Sequence, residues 1–263
     1  MFYEYFEVFQ HILGINLIRY FLPAGLAFLI YYVWFRNRWQ HTKIQPKFPT
    51  LNDYQREIFY SLISILIFVI IGVIVFVSPL SAYNQVYTDI AEYGWGYWTF
   101  SILLMIVVHD TYFYWTHRAM HHPRLFRYFH LTHHRSVNPS PWAAYAFHPL
   151  EGVVEAGIVV PIAFLFPIHL SALMVFLIFM IVYNVYGHLG YELFPRGFSR
   201  HPIGRWLNTS VNHNQHHKHF DGNYGLYFLF WDRVMGTLRA DYDASYDAVD
   251  RKRVRKPPLR QPV

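Results

Sequence analysis

The chain has 263 residues, a length that allows one or two domains. It is 54% hydrophobic and 21% aromatic but only 14% charged, against about 25% in soluble domains, which points to a membrane protein. A net charge of +6 without a recognisable basic module fits anionic lipid headgroups rather than nucleic acid, and the lack of cysteine excludes disulfides, thiolate zinc sites, iron–sulfur clusters and cysteine nucleophiles.

Taken in order, residues 1–14 mix aromatics with Glu4, Glu7, Gln10 and His11 and read as interfacial. They lack the basic start of a cleaved signal peptide. Ile15 to Phe35 is a first span, with Pro23 bending it near one end. Residues 36–56 carry Arg36, Arg38, Lys43, Lys47 and Arg56, which puts this loop in the cytoplasm. Ile58 to Leu80 is an uncharged second span, and loop 81–93 holds Asp89 and Glu92 but no Lys or Arg, as suits the opposite side. A third span runs from Gly94 to Trp115 and delivers the first histidines to the cytoplasmic face.

Residues 117–150 are polar, histidine-rich and basic, and Pro139-Ser140-Pro141 breaks them. Gly152 to Pro167 and Leu170 to Tyr186, joined at Phe166-Pro167-Ile168-His169, read as a hairpin that returns His188 to the same face. The tail from Arg251-Lys252-Arg253 to Arg260 reads as a disordered end facing lipid. The expected fold is all-α, with about four to five membrane spans and a cytoplasmic, helical, histidine-rich cap. It divides into a transmembrane region (1–93), a catalytic region (94–238) and a basic tail (239–263).

The histidines carry the chemistry. Residues three and four apart share a helix face. His117 and His121 are so spaced, as are His130, His133 and His134, and again His213, His216 and His217. Each group therefore aims its imidazoles in one direction if its segment is helical. His188 stands alone after an apolar helix. These imidazoles exceed what one ion holds, and two ions with four or five nitrogens each account for them. At about 100° per residue, Asp110 lies within roughly 20° of the line through His117 and His121 and is placed to accept a hydrogen bond from a ligand imidazole. His109 lies roughly 120° from His121 and is aimed elsewhere, and His122 also points off the stripe. His148 reads as a support for the ligands or a substrate contact. His11, His41, His169, His201 and His219 read as interfacial or surface histidines.

Zinc performs no redox chemistry, and a hydrolytic zinc site would usually include a carboxylate. The clusters hold almost no Asp or Glu. An all-imidazole pair with open positions at a bilayer surface suits O2 activation on iron, directed at inert lipid C–H bonds. A zinc membrane hydrolase is the first rival. A metal transporter or metal-binding protein is the second, although transporters keep ionisable residues inside their spans.

The pattern His117–x3–His121, His130–x2–His133-His134, His213–x2–His216-His217 resembles the sterol desaturase/fatty acid hydroxylase superfamily. So do Tyr114-Trp115-x-His117-Arg118 and Asn223-Tyr224-Gly225 … Trp231-Asp232-Arg233 … Gly236-Thr237. The likeness covers Gly94 to Leu238. Ala146-Phe147-His148-Pro149 and the Phe166–His169 turn look most like its sterol C-5 desaturase (lathosterol oxidase) branch. The resemblance implies a membrane di-iron enzyme, in the endoplasmic reticulum or a bacterial inner membrane, that uses O2 to desaturate or hydroxylate a bilayer lipid. It implies the box histidines and His188 as iron ligands, and an external electron donor such as a b-type cytochrome or a ferredoxin with its reductase. Members with ten ligands carry a second histidine one turn before His188. Here that residue is Asn184, which leaves a water or its amide oxygen to fill the place.

Overall fold

A computed structural model describes residues 2–254, most of them helical. α1 (Phe2–Phe28) runs on without a break into a wider π-type turn at Leu29–Trp34. The expected interfacial segment is therefore the first half of the same helix, and Pro23 lies inside it without ending it. In apolar surroundings an interrupted helix would leave backbone groups unpaired, so continuity wins. α2 (Leu51–Phe76) starts earlier than Ile58 because Thr50 and Asp53 form a capping box. It stops before Ser78-Pro79, where proline cannot continue it.

α3 (Gly94–Met120) extends past Trp115 and carries His117 on its last turn. Pro123 then forces a new start, and α4 (Pro123–Phe129) and α5 (Leu131–His134) follow. The expected hairpin has one broken arm, α6 (Pro149–Ala156) and α7 (Val159–Leu165), and one intact arm, α8 (Leu170–Gly187). The break falls at Gly157, where the Tyr112 hydroxyl crosses to donate to the Val154 carbonyl at 2.7 Å. A Cβ at Gly157 would stand 2.7 Å from that oxygen. Two short strands were not foreseen: β1 (Val86–Tyr87) pairs in parallel with β2 (Ile168–His169). His169 is buried there rather than at the surface. Its Nδ1 accepts from the Ser171 N–H, and its Nε2 donates to the Thr88 carbonyl.

By length and composition, three helices can cross a bilayer: Phe6–Trp34, Leu51–Phe76 and Leu170–Gly187. That is fewer than the four to five expected. α3 is long enough, but Trp95, Tyr97, His109 and Asp110 dilute its hydropathy, and α6 and α7 are each too short. Ile18, Leu22, Leu62, Ile70, Leu103 and Val107 are exposed on the outer faces, as a lipid surround allows.

The loop between α1 and α2 is stitched to the histidine-bearing segments. Gln45 donates to Asn214 and the Lys47 carbonyl accepts from Asn138, and Arg56, just inside α2, donates to the Arg135 carbonyl. Lys43 pairs with Tyr191. α9 (Ser210–His219), α10 (Phe230–Val234) and α11 (Tyr242–Val254) complete this end. α11 corrects the expectation of a disordered tail. Tyr242, Tyr246 and Val249 pack against Val211 and Leu229. Lys252 donates to the Lys43 carbonyl and Arg253 to the carbonyls of Glu192 and Phe194. Apolar contact and two tethered cations outweigh its basic composition. The remainder of that expected tail, through Arg260, lies outside the described residues.

Candidate metal centre

The eight histidines singled out from spacing and the lone His188 meet at this end, in two groups. His117, His121, His130, His134 and His216 form one, and His133, His188, His213 and His217 the other. Within each, the candidate ligand atoms lie within 4.8 Å of one another. The sequence boxes do not map one to one onto the groups. α5 sends His134 to the first and His133 to the second, and α9 sends His216 to the first and His213 and His217 to the second. Successive helical residues diverge by about 100°, so adjacent histidines serve different sites.

Local structure aims the rings. α9 is started by the Thr209 side chain, which accepts from the Asn212 N–H, and it ends in the left-handed turn at Phe220. The Asn223-Tyr224-Gly225 to Thr237 motif is a brace. Asp232 accepts from the N–H groups of Tyr224 and Gly225 and from the Thr237 hydroxyl, and Asn223 donates to the Asn212 carbonyl and to Gln215. Carbonyls of this brace receive ring protons: His117 Nδ1 donates to Tyr224 O at 2.9 Å and His216 Nδ1 to Gly222 O at 2.8 Å. His188 Nδ1 donates to Asn184 O at 2.8 Å, and His130 Nδ1 to Glu151 Oε1 at 2.6 Å. A ring that donates through Nδ1 carries its lone pair on Nε2.

That tautomer decides how the groups fit a metal. His117 and His130 both donate through Nδ1, yet their Nε2 atoms stand 2.9 Å apart with no proton left to share. His188 Nε2 faces three other Nε2 atoms, at 3.0 Å (His213) and 3.2 Å (His133 and His217). His121 and His134 approach to 3.1 Å. His216 Nε2 is buried with no partner. Facing lone pairs repel unless a cation lies among them. A divalent first-row ion holds imidazole nitrogens at about 2.0–2.1 Å, so two ligands of one ion stand about 3 Å apart. The residues fit a pair of ions. Burial, reinforced by the neighbouring imidazoles, pushes His130, His133, His134, His213, His216 and His217 well below their usual range. Burial, partly offset by the hydrogen bond to the Asn184 carbonyl, takes His188 to about 4. At neutral pH these rings are uncharged, which is the ligating form.

The remaining expectations fare differently. Asp110 accepts no ligand proton; its Oδ1 receives the N–H groups of Tyr227 and Phe228 and ties α3 to the middle of the brace. His109 bonds to the Tyr227 hydroxyl at 2.9 Å. His122 and His148 cap the starts of α4 and α6 by accepting from Arg124 and Leu150 N–H groups. Asn184 donates its side-chain amide to Ala144 O, while its carbonyl orients His188. The near-absence of carboxylates also needs correction. Glu151, 1% exposed, bonds His130, and no other carboxylate among the described residues hydrogen-bonds either group. Its one sequence signal is a charge at the edge of an apolar run. Beside the groups lies an apolar cavity of about 440 Å³. Phe113 and Phe147, which line it, pack against His117 (4.9 Å) and His133 (5.2 Å), so it ends against both groups.

The Delta(7)-sterol 5(6)-desaturase ERG3B of Gibberella zeae is 32% identical over 232 residues, covering 87% of this chain and 69% of that protein. The lathosterol oxidases of Rattus norvegicus and Homo sapiens are 31% and 29% identical over 224 residues, covering 84% of this chain and 71% of theirs. No solved structure matches the chain significantly. The fatty acid hydroxylase pattern matches residues 102–237, more than half of the sequence and inclusive of every histidine in both groups, and the chain belongs to the fatty acid hydroxylase family.

Proposed function

We propose that the two histidine groups each hold one iron ion and that the chain uses O2 to desaturate, or alternatively hydroxylate, a bilayer lipid, with a sterol as the substrate that its relatives suggest. The observation that carries this reading is the apolar cavity ending against both groups of lone-pair-bearing imidazoles. Iron, when bound, supplies the redox chemistry that an inert C–H bond requires.

The chain's own part is positional. Tyr224, Gly222, Asn184 and Glu151 fix ring tautomers through Nδ1. Burial keeps water from the ligands. Phe113 and Phe147 set the end of the cavity against which a substrate carbon rests. Desaturation consumes O2, two electrons and two protons and releases two waters, whereas hydroxylation leaves one oxygen in the product and releases one. The electrons come from an external donor, a b-type cytochrome or a ferredoxin with its reductase. Exposed Arg124, Arg127, Arg135 and Lys218 beside the histidine segments suit an acidic surface on it. The basic α1–α2 loop shares hydrogen bonds with those segments, which supports a cytoplasmic histidine cap in the endoplasmic reticulum or a bacterial inner membrane. Residues 94–238 then form the catalytic region, with α1 and α2 walling its cavity.

The test is purified full-length chain in nanodiscs, supplied with iron, a reducing system and O2, with products read by mass spectrometry. The expected result is two irons per chain and O2-dependent loss of two hydrogens from a sterol. His133→Ala and His217→Ala should each abolish turnover while the protein stays in the membrane. Two zincs with O2-independent hydrolysis would replace this reading with the hydrolase one, and turnover retained in those variants would remove the ligand assignment.

A further inference from the structure

The cavity is apolar over most of its length but not at the end nearest the histidines. There Tyr145 lines it, 2% exposed, and its hydroxyl makes no hydrogen bond within 3.5 Å among the described residues. Stacking on Tyr20 at 5.7 Å and an edge contact with Phe68 at 5.1 Å hold the ring. A buried hydroxyl left unpaired costs about 1–3 kcal/mol, and native structures seldom keep one without a use. Arg19 also lines the cavity beside Tyr145, where its charge and a weak side-chain hydrogen bond both act on the phenol. One of its terminal nitrogens donates to Asn16 Oδ1 at 2.8 Å, and Asn16 in turn donates to the Ile12 carbonyl. Arg19 Nε is buried and unpartnered. Two neighbouring polar groups on one cavity wall, each short of a full hydrogen bond, mark a place suited to a polar group that arrives with a ligand.

Its position follows from the helices. Tyr145 is two residues from Phe147, which packs on His133, and Asn184, another lining residue, is one turn from His188. Leu170, Leu173 and Met174, at the other end of the cavity, lie about 21–27 Å before His188 along α8. The polar end is thus next to the candidate metals, and the hydrocarbon end is remote. Arg19 and Glu155 both line the cavity and have opposite signs, so a neutral head fits better than an ionised one.

We infer that Tyr145, with Arg19 oriented by Asn16, binds the hydroxyl of a lipid alcohol, so that the C–H bonds offered for oxidation lie within a few bonds of that hydroxyl. A hydroxyl meets both polar groups, since it accepts from Arg19 Nε–H and exchanges a hydrogen bond with the phenol. An esterified or etherified lipid lacks that donor and adds bulk at the crowded end. This rests on the function proposed above for its reaction, but not for its binding test.

The experiment measures displacement of radiolabelled cholesterol from the full-length chain in nanodiscs by cholesterol, its methyl ether and oleate. Wild type should bind the alcohol at least about tenfold more tightly than the ether. Tyr145→Phe, which keeps the ring packing, and Arg19→Gln should lose most of that gap while retaining wild-type iron content. Equal binding of alcohol and ether by wild type, no binding of either, stronger displacement by oleate, or an unchanged gap in Tyr145→Phe each overturns the inference. Alcohol preference without sterol oxidation leaves it standing and removes the proposed reaction. Sterol oxidation without the preference does the reverse.

Discussion

Glu151→Gln separates charge from geometry at the histidine groups. Glu151 Oε1 accepts the His130 Nδ1 proton at 2.6 Å in a buried contact, and five neutral imidazoles surround the ion position that His130 faces. Glutamine keeps the size of the side chain and an oxygen to accept that proton. It removes the one negative charge hydrogen-bonded to either group. Burial raises Glu151 well above the usual carboxylate range, so its ionised form needs a neighbouring cation, and it gives most when the ion is present. Partners of this kind are worth about 10–100-fold in metal affinity, or about 1.4–2.7 kcal/mol. The assay is metal per chain after dialysis against graded chelator. Wild type should hold two ions at concentrations where Glu151→Gln holds about one, because the group of His133, His188, His213 and His217 makes no contact with Glu151. The chelator midpoint for the lost ion should move 10–100-fold. A wild-type midpoint in the variant would refute the electrostatic role, and equal loss of both ions would refute its assignment to one group.

Gly222 has φ +72°, and a Cβ there would meet the Thr237 carbonyl at 2.6 Å. Gly222→Ala should cost at least about 1–2 kcal/mol and weaken metal retention through His216, read by thermal midpoint and metal content, although no ligand is changed. Asp110→Ala leaves the N–H groups of Tyr227 and Phe228 without their acceptor and should lower stability by about 1–3 kcal/mol; an unshifted unfolding midpoint would show that water replaces it. The histidines of both groups have folded values below that of the free side chain, so the native state binds fewer protons than the unfolded one. Stability should be full above about pH 6.5 and fall as pH drops toward the folded values, about 4 for His188, by about 1.4 kcal/mol per pH unit for each such residue, with metal release following the same course. A profile flat from pH 7 to 4.5 would contradict the burial of neutral rings.

Spacing found eight of the nine histidines because a helical periodicity of ligand residues has few other causes, His188 came from the family resemblance, and the apolar runs found α1, α2 and α8 because hydropathy needs no tertiary context. What stayed hidden depended on partners far apart in sequence. Glu151 reads as a stray charge until α6 packs against α4 and α5. The wheel placed Asp110 toward His117 on its own helix, but the free N–H groups of residues 227 and 228 compete for the carboxylate. α11 was masked by its composition, since the tyrosines that bury it are interspersed among charges. The helix ends were set by single residues, such as the Thr50–Asp53 box and Pro123, and the run of hydropathy did not reveal them.

The assignment of alternate histidines to different groups has a consequence for rigidity. Were each box devoted to one ion, α5 and α9 could shift independently and the two sites could separate. Instead α5 places His133 in one group and His134 in the other, and α9 does the same with His216 and His217. Each helix is pinned at two points a few ångströms apart, so neither can slide or rotate without disturbing both sites. α9 is further held by α11 on its outer side and by the Asp232 brace at its end. α8 brings His188 and, one turn earlier, a wall of the cavity on the same rigid rod. Selecting between neighbouring C–H bonds requires placement to well under an ångström, which loops alone seldom hold. Here the ligands, the brace and the substrate wall belong to the same few helices. The spacing that first drew attention to the histidines is therefore also what ties the proposed metal pair to the cavity proposed for the substrate.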